Sequence, residues 1–312
     1  MHDDLFGGFS LRRDQNGWRP IFFLGNEHGN CPFNCRFCIV GKSAGVSSKE
    51  NIRKFDKQYA SYLKAINRPY HPVVYNKGNV TNPEEFSRTT LDYLLAVFSS
   101  DERTAFVSLN SREKAATSEV LDYLNEKNLP YPIHFIVGIE SFSKKTPAIL
   151  GKNTAGELDR FIEKLKHYNR ASPSRKYTFG LDVNLLFLPQ LYLDDADETK
   201  GSYAKIKAGI VYDVREVLRR SNPSVPIEIN LHPFYRVETL SFQDADLGAF
   251  MKILPSLQKE VEHHNAEHRT TTHLFLGVEG SGYENEQQAR QAQIWKPFID
   301  EFNSTGRISW PY

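Results

Sequence analysis

Seven short apolar runs alternate with longer amphipathic stretches along the whole chain, and this alternation limits the fold more than any other feature of the sequence. The runs are rich in Val, Ile, Leu and Phe, which is typical of strands buried on both faces of a parallel sheet. The stretches between them have the length and the periodicity of helices. The pattern therefore predicts an α/β fold of repeated β-α units, a partial or nearly closed TIM-like (β/α)6-7 barrel with outer helices.

The predicted strands are Ile21–Leu24, Val73–Tyr75, Ala105–Leu109, His134–Ile139, Phe179–Phe187, Ile227–Leu231 and His273–Val278. The predicted helices cover residues 47–66, 84–98, 113–127, 155–169, 203–220, 244–265 and 285–303. Two of them carry start signals: Asn82 precedes a proline and two glutamates, and Ser111 precedes Glu113. We expect one domain over residues 1–312, with an N-terminal extension (1–19), a core barrel (20–240) and a C-terminal strand with helices that complete it (241–312).

Composition limits the class of partner. The chain has 39 Lys and Arg against 38 Asp and Glu, a formal charge of +1, which gives no net attraction to nucleic acid or to an anionic membrane. No apolar run approaches the roughly 20 residues needed to span a bilayer. The acidic opening Met-His-Asp-Asp is unlike the basic start of a signal peptide. We expect a cytoplasmic protein with a small-molecule substrate, and neither a membrane nor a nucleic acid as partner.

All three cysteines of the chain fall within eight positions, in the segment Cys31-Pro-Phe-Asn-Cys35-Arg-Phe-Cys38. Three thiolates cannot complete the four-sulfur shell of a closed zinc site or of a cubane cluster held by protein alone, so a metal bound here keeps an open coordination position. A zinc site that adds His28 is an alternative, because thiolates bind zinc readily. Disulfides are disfavoured, since an odd count leaves one thiol over.

The spacing C-x3-C-x2-C, with Phe37 before the last cysteine, resembles the signature of the radical S-adenosylmethionine (radical SAM) superfamily. The resemblance implies that Cys31, Cys35 and Cys38 ligate three irons of a [4Fe-4S] cluster, and that S-adenosyl-L-methionine (SAM) chelates the fourth. It implies reductive cleavage of SAM to a 5′-deoxyadenosyl radical, which abstracts a substrate hydrogen. An external donor such as flavodoxin or ferredoxin would supply the electron. It also implies a radical SAM barrel with the cysteines after the first strand, as expected of ligand sites in such barrels.

The segment after the second predicted strand is Asn76-Lys-Gly78-Asn79. It stands where radical SAM enzymes carry a Gly-Gly-Glu-like segment that holds the amino group of SAM through backbone carbonyls, so Asn76, Gly78 and Asn79 are predicted to bind the cofactor. Only one glycine is present and the Glu is missing. A Gly/Asn turn leading into a helix cap fits the same residues. After the third strand, Asn110 is predicted to join the same cofactor site.

The segment Gly-Ile-Glu140-Ser141 at the end of the fourth predicted strand resembles the family's Gly-x-Glu-Ser segment, which reaches the ribose or the methionine portion of SAM. A carboxylate suits the paired ribose hydroxyls. Lys152 is a candidate partner for the cofactor carboxylate, although a lysine is more often solvated.

Three further residues are assigned to the cofactor by position. Phe37 matches the aromatic position near adenine, and the backbone of Ile39 would lie beside it. Asn184 interrupts an apolar strand and needs hydrogen-bond partners, which either the cofactor or a neighbouring strand would supply.

The remaining polar residues past the strands are candidates for the substrate. Arg112, His232, Arg236 and Glu279 are predicted to bind it, and the arginines suggest an anionic handle. Tyr235, Tyr283 and His232 are the predicted catalytic residues, the tyrosines as hydrogen donors. Without a fourth cysteine the chain cannot ligate a cysteine-held auxiliary cluster, carry a methyl group on cysteine, or quench a radical with a thiol.

Two other functions remain open at the level of sequence. The Tyr-Asn-x-Gly-x4-Pro segment after the second strand looks somewhat like the branch that contains the Elongator catalytic subunit and archaeosine synthases, which suggests a radical SAM enzyme that modifies tRNA or nucleobases. The near-neutral charge opposes that alternative. A zinc-binding protein without enzymatic activity is the other.

Overall fold

The computed structural model describes residues 11–28, 31, 45–76, 78–152, 155–170, 178–193, 203–233, 247–277 and 286–307. The strands are β1 (Leu11–Asp14), β2 (Gly17–Phe23), β3 (Val73–Tyr75), β4 (Val107–Asn110), β5 (Ile133–Glu140), β6 (Phe179–Phe187), β7 (Ile227–Pro233) and β8 (Leu274–Leu276). The helices are α1 (Ser48–Leu63), α2 (Arg88–Ser99), α3 (Ser118–Glu126), α4 (Thr146–Leu150), α5 (Ala155–Arg170), α6 (Tyr203–Leu218), α7 (Leu247–His268) and α8 (Glu286–Thr305), and a 3₁₀ turn covers Pro189–Leu191.

The strands of the described residues form one sheet in which each strand pairs with its neighbours in chain order. β1 is antiparallel to β2, and β2 to β8 are all parallel. The sheet curves into a nearly closed barrel with helices outside. This confirms the predicted fold class, and each predicted strand overlaps an observed one.

Helix α8 lies across the remaining opening of the barrel and contacts both edge strands. At β1, the buried Arg12 guanidinium lies 2.9 Å from a carboxylate oxygen of Asp300 on α8. At β8, the Asn303 amide accepts a hydrogen bond from the backbone N–H of Leu276 at 2.7 Å and donates to its carbonyl at 3.0 Å. Asn303 thus bonds both the backbone N–H and the carbonyl of Leu276. These groups lie on an edge strand, where no further strand supplies their hydrogen bonds.

The β1–β2 hairpin lies inside the segment that the sequence indicated to be an extension. β1 has no apolar pattern, because its sequence is Leu-Arg-Arg-Asp and its most buried residue is Arg12. A strand that buries an ion-paired arginine cannot be recognised by hydrophobic periodicity. Residues 11–19 therefore belong to the sheet.

The two predicted helix start signals are wrong. Asn82 does hydrogen-bond the backbone N–H of Glu84, but this closes a turn, and α2 begins only after its N-cap Ser87. Likewise α3 is capped by Thr117 rather than by Ser111. Asn82 and Ser111 both resemble N-cap residues, but the helices begin at the next capping residue along the chain, Ser87 for α2 and Thr117 for α3.

Alternate residues of each strand face opposite sides of the barrel wall. The outward residues are apolar and pack against the helices, as Phe22 does against Phe55 and Phe98 at ring distances of 4.9 and 5.7 Å. The inward residues include a small apolar cluster of Ile21, Val73 and Ile136. Below this cluster, towards the start of the strands, the inner face is polar. No helix in the described part of the chain is both long enough and apolar enough to cross a membrane.

Candidate active site

The segment that carries the cysteines begins and ends beside the carboxyl end of β2. Beyond β2, the Leu24 N–H donates to the Tyr75 carbonyl at 2.8 Å. The Asn26 carbonyl then accepts a hydrogen bond from the Val46 N–H at 2.7 Å, which joins the two ends of the segment. Cys31 is half-buried. Cys35 and Cys38, with Phe37 and Ile39, lie outside the described residues.

Glu27 anchors this segment to two helices. Its carboxylate accepts hydrogen bonds from Ser48 and Asn51 on α1 at 2.6 and 3.0 Å. It also accepts from the Ser87 N–H at 3.1 Å and the Thr90 hydroxyl at 2.6 Å, at the start of α2. Burial would raise the pKa of Glu27, but these hydrogen bonds outweigh it and hold the pKa below its usual value. A carboxylate at two helix N-termini is also favoured by both helix dipoles.

The loop after β3 is organised around Gly78. Its carbonyl accepts a hydrogen bond from the Asn110 amide at 2.7 Å, and its N–H donates to the Asn76 amide oxygen at 3.1 Å. A β-carbon at position 78 would lie 1.7 Å from a carboxylate oxygen of Glu85, so only glycine fits. Glu85 comes from the turn before α2 and brings a carboxylate to the loop that the sequence analysis found to lack one.

Asn79, predicted to bind the cofactor, is engaged within the protein. It donates to Glu85 through its backbone N–H and its side-chain amide at 2.9 and 2.6 Å, and its oxygen accepts from the Arg112 N–H at 2.9 Å. The residue is buried. Its side chain therefore shapes the loop, and the half-buried Arg112 is held at the end of β4 by its backbone.

Asn26 is the most informative polar residue at this edge. Its side chain is 0% exposed, and neither its amide oxygen nor its amide nitrogen has a hydrogen-bond partner among the described residues. The nitrogen lies 3.0 Å from the β-carbon position at Gly78. The buried Asn76 has a second such nitrogen. Buried amides without partners are rare because each costs about 1–3 kcal/mol, so these two side chains are the candidate ligand-binding groups at this edge.

A buried ion pair lies at the end of β5. The Lys152 ammonium is 2.7 Å from the Glu140 carboxylate, and both side chains are more than nine-tenths buried. A β-carbon on Gly138 would lie 2.3 Å from that carboxylate and 2.6 Å from the ammonium, so the pair occupies the space above Gly138. Glu140 follows a register shift in β5 and has a φ of +67°, a strained conformation that is common at functional sites. Lys152 is thus not a solvated lysine.

Ser141 points the other way, towards the outer helices. Its hydroxyl accepts from the Ser143 N–H at 3.0 Å and contributes a hydrogen bond to Asp213 on α6. Asp213 also accepts from the Phe142 N–H at 2.9 Å and the Tyr192 hydroxyl at 2.6 Å. Burial raises the pKa of Asp213 to about 6, although these hydrogen bonds lower it. This network ties the end of β5 to α6, and Ser141 is not brought to the ion pair.

The upper part of the barrel interior, which we call the lumen, is lined by inward residues that are half-buried while their neighbours are buried: Phe23, Tyr75, Asn110, Gly138, Asn184 and His232. Phe23 and Tyr75 stack with ring centres 5.8 Å apart. Gly138 is paired with Asn184 in the sheet, so the Glu140–Lys152 ion pair lies beside Asn184. Asn184 accepts a hydrogen bond from Asn230 of β7 at 3.1 Å, the structural alternative that the sequence left open.

The structure places Asn76, Gly78, Asn110, Glu140, Lys152, Asn184 and His232 near the carboxyl ends of the parallel strands, and their predicted binding roles stay predictions. Tyr235, Arg236, Glu279 and Tyr283 lie outside the described residues, so their predicted roles stay predictions. Sequence reasoning missed Glu85 and the orphaned amide of Asn26. Glu85 carried no signal beyond its place near Gly78. Asn26 directly follows a buried strand, and that position was its only signal.

The residues of this edge fit the cofactor set that the cysteine spacing implies. The orphaned amides of Asn26 and Asn76 offer donors and an acceptor beside the start of the cysteine segment. The ion pair above Gly138 offers both charges to a zwitterionic ligand. A ligand with ammonium, carboxylate and ribose groups, such as SAM, matches both sets.

No family model matches this chain. No curated protein matches it in sequence. Among solved structures, the chain is similar to a radical SAM methyltransferase from Sphaerobacter thermophilus, at 12% identity over 83% of this chain and 67% of that chain, with a TM-score of 0.48. It is similar to SuiB from Streptococcus suis at 11% identity over 82% of this chain and 49% of that one, with a TM-score of 0.48. It is similar to SuiB bound to S-adenosylmethionine at 12% identity over 82% of this chain and 50% of that one, with a TM-score of 0.47. The chain spans about half the length of SuiB. Any assignment of activity therefore depends on the residues of the site itself.

Proposed function

We propose that this chain is a radical SAM enzyme that holds a [4Fe-4S] cluster through Cys31, Cys35 and Cys38 and acts on a small polar or anionic metabolite. One observation carries the proposal. The cysteine segment is joined at Asn26 and Val46 to the carboxyl edge of a parallel barrel, beside buried amides without partners in the described residues. A three-cysteine segment whose two ends meet at this edge would suit a cluster with one iron left for a ligand.

The protein's own residues would bind and orient the cofactor. Asn26 and Asn76 would hydrogen-bond the amino-acid end of SAM, with the Glu85 carboxylate adding negative charge next to Gly78. Glu140 and Lys152 would meet the ribose or the carboxylate. When bound, the cluster would supply the electron that cleaves SAM and so provide a radical that abstracts hydrogen.

The lumen below would hold the substrate away from water. The apolar cluster of Ile21, Val73 and Ile136 lies beneath it, and the stacked rings of Phe23 and Tyr75 form part of its wall. His232 lies on the inner face of β7 and would contact the substrate. A dry, enclosed site strengthens each polar contact and protects a reactive radical from side reactions.

The partners are proposed on the same basis. A small-molecule substrate would suit a lumen lined by half-buried side chains of neighbouring strands, and the reductant would be an external flavodoxin or ferredoxin. The net charge of +1 gives no support to a nucleic-acid substrate.

Anaerobic reconstitution with iron and sulfide tests the proposal. We expect about four irons per chain and, with dithionite, conversion of SAM to 5′-deoxyadenosine and methionine. Cys35→Ala should abolish both. Tyr212→Ala, a change at a side chain 52% exposed on α6, is the matched control and should alter neither.

Other outcomes would support the alternatives. Stoichiometric zinc in an iron-free protein would overturn the proposal in favour of a zinc protein. Binding of bulk tRNA that survives moderate salt would redirect the substrate class to RNA, because sequence-independent electrostatic binding weakens steeply with salt.

A further inference from the structure

The inner face at the base of the barrel holds a buried arginine between two carboxylates. The Arg19 guanidinium lies 3.6 Å from Asp14 and 3.8 Å from Asp182, and it stacks over the Phe275 ring at 4.1 Å. Asp182 is further held by His134 at 2.9 Å. Burial would raise the pKa of Asp182, but the hydrogen bond from His134 and the nearby positive charges hold it below its usual value. Arg19 is thus fixed in place by charge and packing from several strands.

Arg19 determines the orientation of the next residue above it. A guanidinium has only donors, so the Asn230 side chain must turn its oxygen towards Arg19, and the two atoms lie 3.3 Å apart. The Asn230 nitrogen then points to Asn184, whose oxygen accepts from it at 3.1 Å. The Asn184 nitrogen is left over. It has no hydrogen-bond partner among the described residues, and Asn184 is half-buried on the lumen face.

We propose that the chain Arg19–Asn230–Asn184 sets the specificity of the lumen, because it directs the Asn184 oxygen to Asn230 and leaves the Asn184 amide N–H groups as the donors that face the substrate. The substrate then carries an oxygen acceptor, a carbonyl or carboxylate, at this point. This inference names the substrate class of the proposed function and rests on it. Asn230 and Arg19 are positioning residues, since they are buried and act through Asn184.

Asn110, on β4 at the other side of Gly138, differs from Asn184 in which amide group it turns to the lumen. One amide N–H of Asn110 donates to the Gly78 carbonyl at 2.7 Å, which turns the Asn110 oxygen away from Gly78. The lumen therefore carries a donor on β6 and an acceptor on β4. Asn110 also provides an internal comparison, because one of its amide protons donates to the Gly78 carbonyl within the protein.

The test uses the full chain labelled with ¹⁵N-asparagine, whose side-chain amide signals are assigned from single variants. Dimethyl sulfoxide is the probe, because it is neutral and small and has only acceptor oxygen, and methylammonium is the donor-only counterpart. We expect dimethyl sulfoxide to shift the Asn184 amide signal and not that of Asn110, with methylammonium on the order of tenfold weaker at Asn184.

Asn230→Asp is the decisive variant, because an aspartate still accepts from Arg19 but cannot donate to Asn184. The Asn184 side chain must then rotate, donate to the introduced carboxylate, and turn its oxygen to the lumen. The expected result is loss of the dimethyl sulfoxide response together with a several-fold gain for methylammonium. Added negative charge alone would favour methylammonium but would leave the neutral probe unaffected.

Two further variants separate this chain of contacts from a purely structural role. Asn230→Leu removes the link without adding charge and should leave a weakened response to both probes. Asn184→Leu removes the reporting amide itself and therefore serves to assign the Asn184 signal. Arg19→Met tests the contact between Arg19 and Asn230, but it also removes the ion-pair partner of two buried carboxylates. If Arg19→Met does not fold, Asn230→Asp still tests the inference, because it keeps Arg19 paired.

The inference is overturned if the wild-type Asn184 amide protons are protected from solvent exchange as strongly as those of Asn110. It is also overturned if dimethyl sulfoxide still shifts the Asn184 signal in Asn230→Asp. None of these measurements needs iron or SAM cleavage. Failure of the proposed function, seen as absence of iron and of 5′-deoxyadenosine, is therefore distinguishable from failure of this inference.

Discussion

Replacing Asn26 with leucine should stabilise the ligand-free protein and weaken its binding of SAM. Both amide atoms of this buried side chain are without partners in the described residues, so the fold bears their desolvation cost, about 1–3 kcal/mol. Leucine has the same number of side-chain heavy atoms and the same branching, is larger, and has no polar atoms. Allowing up to about 1 kcal/mol for imperfect fit, the free energy of unfolding of Asn26→Leu should rise by about 1–2 kcal/mol.

Asn51→Leu is the matched control, because the same substitution there removes satisfied hydrogen bonds. Asn51 is equally buried, and its amide both accepts from the Gly25 N–H and donates to the Gly25 carbonyl at 2.9 Å. Asn51→Leu leaves the Gly25 N–H and carbonyl without these partners and removes the hydrogen bond to Glu27. The free energy of unfolding should therefore fall by about 2–4 kcal/mol.

Urea unfolding of the cluster-free chains measures the stabilities, and equilibrium dialysis of SAM against the reconstituted proteins measures binding. SAM affinity should fall about tenfold to a hundredfold in Asn26→Leu, the value of one or two hydrogen bonds. If Asn26→Leu lowers the free energy of unfolding by more than about 1 kcal/mol, the amide is satisfied in the ligand-free protein and the reasoning fails. Unchanged SAM affinity would remove Asn26 from the cofactor site.

Three other predictions follow from the same contacts. Glu27→Gln should lose about 2–4 kcal/mol of stability in urea unfolding, because one oxygen cannot serve four donors and the new amide group faces them. Because burial raises the pKa of Asp213 to about 6 in the folded protein from 3.8, its contribution to stability is present below pH 4 and is lost as the pH rises through 6. Stability measured at pH 4 and pH 7 should therefore show a loss of up to about 3 kcal/mol from this group, absent in Asp213→Asn; equal pH dependence of both proteins would contradict it. Gly138→Ala should lower the free energy of unfolding by about 1–3 kcal/mol, because its β-carbon would meet the buried ends of the Glu140 and Lys152 side chains, and it should weaken SAM binding about tenfold by displacing that pair.

The capping patterns show where local reading of the sequence fails. Both Asn82 and Ser87 are competent to start α2, and nothing within those residues chooses between them. The choice falls to Ser87, whose N–H meets the carboxylate of Glu27, a residue 60 positions earlier in the chain. A helix start that depends on a distant carboxylate cannot be predicted from its own segment.

Neighbouring residues of the candidate site also end in different environments that their own segment does not determine. Glu140 and Ser141 are neighbours in one motif, yet Glu140 pairs with Lys152 beside the lumen and Ser141 joins Asp213 on the outer side. Asn184 and Asp182 lie two apart on the same inner face of β6. Only the sheet register brings Asp182 to Arg19 and Asn184 to Asn230.

The sequence by itself determined the seven parallel strands, the barrel they form and the place of the cysteines after the first of them, because apolar period and residue spacing are properties of short segments. The tertiary structure alone decided which amides remain without partners and which polar side chain faces the lumen as a donor. Those outcomes depend on atoms from strands far apart in the chain, such as Arg19 and Asn230, whose separation of 211 residues only folding removes.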